Sequence, residues 1–309
     1  LWQDDAAARP DGAGGGVGAA GGGPAALDGR GAALMRPRLT GWALSAPATA
    51  LVVLCLVVPV AATIAATFTE GAGPLAPYVE FFTSGFRRTV LWRTLEIALI
   101  TTAISVVVGF LTAFVVSRAP GRWRSLLIIA AVFPLLTGVV VRSFAWLIIL
   151  GRNGMVNNFL VWAGLTDAPL PMLYTQGAVI VAMVYLFVPL MILTLVGVLE
   201  GIPDDVIQAA ASLGATPAAT FRQVVFPLAV PGLIVGAVLV FTGSFTAYAT
   251  PQLLGGERQM VMGTLLHQRA MVAFDWTGAS TVAAIMVVVT IAVVLGMTRV
   301  ARRLNPMAT

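Results

Sequence analysis

Inside the apolar runs of this 309-residue chain stand one carboxylate, Glu96, the guanidinium of Arg142, and a scatter of rings and hydroxyls: Trp146, Tyr185, Ser244, Thr246 and Tyr248. Charge is costly at membrane depth, and polar groups there need partners, so such residues either mark a solute path or tie helices together. Glu96 can attract a cation, and the rings of Trp146, Tyr185 and Tyr248 can offer it their faces. Arg93, one helical turn before Glu96, supplies the plainer alternative of an ion pair. Arg142 can pair within a bundle or reach the outer interface, and for Tyr185, Ser244 and Tyr248 the plainer role is hydrogen bonding between helices. Covalent chemistry has no support. The single cysteine, Cys55, lies in an apolar run and reads as a core residue, and the single histidine, His267, has no partners near it in sequence. Dinucleotide and phosphate-loop fingerprints and metal-ligand pairs are absent as well, so no catalytic residue, cofactor, metal or nucleic-acid partner is expected.

The elements that must position these groups follow from composition. Residues are 59% hydrophobic against 10% charged, and mean hydropathy is +0.94. Unbroken apolar runs, rather than alternating ones, predict an all-α integral membrane protein, because a helix satisfies its own backbone in lipid. Six spans are expected, near 43–67, 92–117, 125–150, 177–199, 228–248 and 278–298. Their alternation places nine arginines (Arg36, Arg38, Arg118, Arg122, Arg124, Arg222, Arg299, Arg302, Arg303) on one side and five (Arg87, Arg88, Arg152, Arg258, Arg269) on the other. By the positive-inside rule both termini are then cytoplasmic. Trp42, Trp92, Trp123 and Trp276 stand at run boundaries, where amphipathic rings meet headgroups. The external stretches "GMVNNFLVWAGL" and "RQMVMGTLLHQRAMVAF" have helical spacing and suit short helices on the bundle. Residues 1–34 are Gly/Ala-rich and aperiodic, so they are expected to be disordered, and Met35 opens a more ordinary membrane-protein start that suggests an over-extended gene model.

Between the fourth and fifth spans runs "IPDDVIQAAASLGATPAATFRQVVFPLAVP". Pro203 suits a first helical turn, and Asp204 and Asp205 complement the positive end of the helix dipole. Gly214 is placed to end that helix in a left-handed corner. Thr216 as N-cap and Pro217 at the next position start a second helix, which Pro227 is expected to break before the fifth span. Ala209, Ala210 and Ala211 leave one face thin, and Val206, Ile207 and Leu213 are apolar anchors, so the first helix is shaped to enter a groove in another protein. The alternative is a loop packed under the bundle.

The order Ala209, Ala210, three residues, Gly214, nine residues, Val224, one residue, Phe226, Pro227 resembles the EAA loop of permease subunits of bacterial binding-protein-dependent ABC importers. That pattern is Glu-Ala-Ala, three residues, Gly, nine residues, Ile, one residue, Leu-Pro. Here Gln208 replaces the usual Glu, which removes any salt bridge made there. The resemblance extends over residues 36–305, in "VRSFAWLIILGRNGMVNNFLVWAGL", "YLFVPLMILTLVGVLEGIPDDVIQAAASLGA" and "FTAYATPQLLGG", and is particularly similar to the spermidine/putrescine permease branch. It implies a type I importer fold of residues 35–309 in the inner membrane, with a cytoplasmic coupling loop at 200–227. It further implies a second permease subunit, two ATP-binding subunits docked on the cytoplasmic side, and a periplasmic solute-binding protein. The coupling residues implied are Asp205, Gln208, Ala209, Ala210, Gly214, Arg222 and Pro227. An ion-coupled secondary transporter is the competing class, but ionisable groups in mid-span are missing; another small solute is the competing cargo.

Overall fold

The computed structural model describes residues 37–69, 73 and 75–304, and no strand forms among them. The expected disorder of residues 1–34 lies outside the described residues. The long helices are α1 (Pro37–Thr69), α3 (Gly85–Arg118), α7 (Gln176–Glu200), α10 (Phe226–Phe245) and α13 (Trp276–Leu304). Short helices fill the connections: α2 (Ala76–Thr83), α4 (Gly121–Leu136), α5 (Val139–Ile149), α6 (Met155–Trp162), α8 (Asp204–Ser212), α9 (Pro217–Thr220), α11 (Ala249–Gly255) and α12 (Met262–His267). Among the described residues five helices are long and apolar enough to cross a membrane, and α4 with α5 makes a sixth crossing only if the two are taken as one bent span.

That bend corrects the sequence expectation of a continuous third span at 125–150. The axes of α4 and α5 differ by 95°. Thr137 and Gly138 both take extended ψ values, 139° and 143°, so the helix stops there. Hydropathy cannot register the stop, because the flanking residues on both sides are equally apolar. The second span also differs. α3 starts at Gly85 rather than near residue 92 and has 34 residues, about 50 Å at 1.5 Å per residue, so it outruns a hydrocarbon core of about 30 Å.

The centre is built where α3, α7 and α10 meet. Phe110, Ala113 and Val116 of α3, Met191, Ile192 and Leu195 of α7, and Ala229 and Val240 of α10 form one buried cluster. Glycines allow the close approach: a Cβ on Gly109 would come within 2.6 Å of Met191 Cγ, and one on Gly232 within 2.7 Å of Val198 Cγ2. Among the described residues, those up to Val57 and those from Val58 onward form two compact units. In the first, the side chains of residues 46–57 are all exposed. Cys55 is among them, which corrects its reading as a core residue: an apolar run in a membrane helix can face lipid instead of protein.

Two sets of polar contacts mark the ends of the bundle. Arg124 at the start of α4 pairs with Glu200 at the end of α7. At the other end Arg93 donates to the carbonyls of Arg258 (3.1 Å) and Met260 (3.3 Å). Arg93 is therefore not the partner of Glu96. Glu96 is exposed and makes no ion pair among the described residues.

Beside Arg93's end, Glu80 pairs with Arg87 at 2.5 Å and Asp275 with Arg269. The hydrogen bond from Arg87 lowers the pKa of Glu80. Burial raises that of Asp275, but the Gly278 N–H (2.8 Å to Oδ1) and Arg269 outweigh it, and the net shift is downward. A carboxylate with a lowered pKa stabilises the fold at pH above the ordinary carboxylate range, and that contribution is lost as pH falls through the folded value. The pair is partly exposed, so it is worth only about 0.5 kcal/mol. Asp275→Asn keeps an oxygen for the Gly278 N–H and removes the charge. Its melting temperature is expected slightly below wild type at pH 7, with the difference shrinking in a thermal-shift series as pH falls below the ordinary carboxylate range.

Candidate functional site

The hairpin between α7 and α10 forms as a helix, a glycine corner and a second helix. Pro203 is the N-cap of α8 rather than its first helical residue, and Asp204 and Asp205 occupy the first turn. The exit is a complete Schellman motif: Gly214 N–H donates to Ala211 O (2.9 Å), Ala215 N–H donates to Ala210 O (3.1 Å), and Gly214 has φ +82°. Thr216 Oγ1 accepts the N–H of Ala219 at 3.3 Å and caps α9. Beyond α9 the chain does not break at Pro227. A π-turn, Phe221–Val225, carries it directly into α10, with the Phe226 N–H reaching back to Phe221 O. The wider turn makes room for the proline ring that would otherwise meet the carbonyl four residues earlier, so the hairpin's second helix and the fifth span are one continuous helical rod, Pro217–Phe245.

The outer surface of α8 carries Asp205, Gln208 and Ala209 exposed, with Val206 (41%) and Leu213 (88%) as exposed apolar groups, while Ala211 borders a groove on the other face. Ala210 and Ile207 are half-buried, and Ile207 turns inward onto this groove of about 250 Å³, which it shares with Phe114, Arg118, Phe221 and Val225. Phe221 meets Phe110 and Phe114 edge-on at 5.7 and 5.1 Å, and Arg118 lies 5.5 Å over Phe114. This ring cluster couples the hairpin to the end of α3. Sequence reasoning missed it because its members are more than 100 residues apart. Arg222 is exposed within the π-turn and forms no ion pair among the described residues.

The residues proposed for a solute path fall into separate places. Trp146 and Tyr185 meet edge-on at 5.6 Å, next to Arg142, Ser143 and Thr250. Tyr248 stacks on His267, with centroids 4.3 Å apart and planes 21° apart, so His267 does have a partner. The two line a cavity of about 430 Å³ with Thr246, Met271, Trp276 and Ser280. Ser244 is buried and its hydroxyl has no partner among the described residues, as is true of Thr101 and Ser105 on α3; it does not make the interhelical hydrogen bond expected of it. Glu96 lines neither cavity and shares its exposed helix face with Trp92, Leu99 and Ile100. No local sequence signal points to the pairing of Tyr248 with His267, since residues 19 apart across a loop share no helical register.

Residues 105–306 match the family model of binding-protein-dependent transport system inner membrane components. The chain is 32% identical over 193 residues to the spermidine/putrescine transport system permease protein PotB of Escherichia coli, a match covering 62% of this chain and 70% of that protein. It is 30% identical over 210 residues to the molybdenum transport system permease protein ModB of Mycobacterium bovis, covering 68% and 78%. A solved bacterial alginate ABC transporter, in complex with an alginate pentasaccharide-bound periplasmic protein, superposes with a TM-score of 0.73 at 18% identity, covering 86% of this chain and 95% of that one.

Proposed function

As this chain belongs to the family of binding-protein-dependent transport system inner membrane components and is the permease subunit of an ABC importer, we propose that it carries polyamine-like organic cations and is driven through its α8 hairpin. It is a multi-pass inner membrane protein that works with an ATPase and a binding protein, and ATP hydrolysis belongs to the ATPase. In this reading two ATP-binding subunits grip α8 from the cytoplasm, a second permease subunit completes the passage, and a periplasmic solute-binding protein delivers the cargo. Both termini are cytoplasmic, and residues 200–227 form the coupling loop of the domain at 35–309. The observation that carries the reading is the continuous rod. α8 presents Val206 and Leu213 outward, and past the Gly214 corner the chain runs from Pro217 through the π-turn into α10 as one helix. Closure of the ATPase pair on α8 therefore turns α10 as a rigid body and, through the Phe110–Phe114–Phe221 cluster, pushes on α3.

The cargo reading rests on the relation to PotB and on the stacked Tyr248–His267 pair beside Trp276, which offers aromatic faces to an ammonium group. Glu96, on an exposed face within α3, would meet the cation only where a second permease subunit covers that face. The test is uptake by proteoliposomes containing both permeases, the ATPase and the binding protein. ATP-dependent accumulation of putrescine or spermidine is expected, with Tyr248→Ala lowering it by about two- to thirtyfold, the range that a cation–π contact supports. Glu96→Gln is expected to lower uptake with assembly intact. Uptake of an oxyanion with neither polyamine transported would replace the cargo assignment and leave the importer standing.

A further inference from the structure

Arg142 has no acidic partner among the described residues, although it sits at the bend of a span. Its Nη1 crosses the bend and donates to Pro134 O at 2.6 Å. The same carbonyl accepts the Thr137 hydroxyl at 2.9 Å. Pro134 lies in the last turn of α4, where four carbonyls have no partner within the helix and the dipole presents its negative end. The guanidinium is thus neutralised by the terminus of a helix rather than by a carboxylate. Its Nε is buried without a partner. One residue further on, Ser143 Oγ lies 3.2 Å from Thr250 Oγ1 of α11, and one turn on, Trp146 stands against Tyr185 of α7. The cavity enclosed by these groups is about 10 Å³, room for no more than one water. It is a joint and not a solute pocket.

We propose that Arg142 is a positioning residue for transport: by capping α4 across the bend it holds α5 crosswise and so sets Trp146 against Tyr185 and Ser143 against Thr250. Its importance for transport rests on the reading of this chain as the permease of an importer; its hold on the bend does not. A lysine can carry the charge to the same carbonyl, whereas glutamine is too short to span the bend and brings no charge to α4.

The test uses the assembled complex in a Cys55→Ser background, with spin labels at Leu136→Cys and Ile148→Cys, positions that are 77% and 75% exposed. A single narrow distance is expected with Arg142 present and with Arg142→Lys. A second, longer population is expected with Arg142→Gln. Uptake should fall about tenfold or more for Gln and stay within about threefold for Lys, the scale set by one charge-assisted hydrogen bond. If the Gln variant fails to accumulate, Arg142→Met repeats the test without placing an unpaired polar group in lipid. An unchanged distance in the Gln or Met variant overturns the proposal, as does a changed distance with normal uptake. A changed distance and lost uptake, with Trp146→Ala and Tyr185→Ala both fully active, would sustain Arg142 as the positioning residue and dismiss those two rings as part of the passage.

Discussion

Gly214→Val is expected to lower ATP-dependent uptake by tenfold or more while ATP hydrolysis by the assembled complex continues. Space is not the reason, since nothing lies within 4 Å of where a Cβ on Gly214 would stand. The cause is backbone conformation. Gly214 holds φ +82°, a region that costs an L-residue about 1–2 kcal/mol and a β-branched one more. Relaxing that strain undoes the Schellman pair, Gly214 to Ala211 and Ala215 to Ala210, and redirects α8 relative to the rod that begins at Pro217. In the proposed coupling the ATPase then still grips a helix, but the helix no longer transmits its rotation to α10. A graded series separates this from misfolding: Gly214→Asn should retain most uptake because asparagine tolerates the left-handed region, and Gly214→Ala should fall between. Equal uptake in all three variants, at normal expression, would mean that the corner does not carry the motion.

The corner could be read from sequence because each of its signals is local: Pro203 with two aspartates, then Gly214, then Thr216 with Pro217. Capping is decided within a turn of the chain, and the structure departs only by one residue at Pro203. The bend at Thr137–Gly138 was not legible. Val139, Val140 and Val141 follow it at once, and an apolar run continues through a change of direction as readily as through a straight helix. Pro227 misled for a related reason. A proline breaks an α-helix by clashing one turn back, yet the π-turn at Phe221–Val225 removes the clash, and no residue type announces a π-turn. At the candidate path, Tyr185 and Tyr248 were identifiable as costly polar groups in apolar runs, but their partners were not. Trp146 reaches Tyr185 across helices and His267 reaches Tyr248 across a loop, and only the packing brings them together. Arg93 shows the converse error: helical spacing offered Glu96, and the guanidinium instead took two backbone carbonyls more than 160 residues away.

Gly109→Val is expected to abolish accumulation of the folded chain in the membrane, and the argument turns on which of two opposed effects is larger. Replacing a glycine inside a helix by a residue with a side chain normally stabilises that helix, by up to about 1 kcal/mol. At Gly109 the gain is outweighed. A Cβ there would lie 2.6 Å from Met191 Cγ and 2.8 Å from Met191 Cβ, the stem of a fully buried side chain and not its mobile end. Met191 cannot swing away on the other side, because its Sδ and Cε already fill the space beside Gly236 of α10. One side chain of α7 thus occupies the gap between a glycine of α3 and a glycine of α10, and enlarging either wall forces the three central helices apart. Overpacking costs about 1–3 kcal/mol where a neighbour can adjust; here the two γ-methyls of valine add to a contact that the backbone itself must relieve. The melting temperature of the detergent-solubilised chain, or its yield where none folds, measures the loss. Adding Met191→Ala should restore part of it, since it removes the 2.6 Å contact with Cγ and frees the volume of the side chain's end while the 2.8 Å contact with Cβ stays, although Met191→Ala alone should destabilise by leaving a cavity of its own. Independent, additive losses in the double variant would show that Gly109 and Met191 do not share one space.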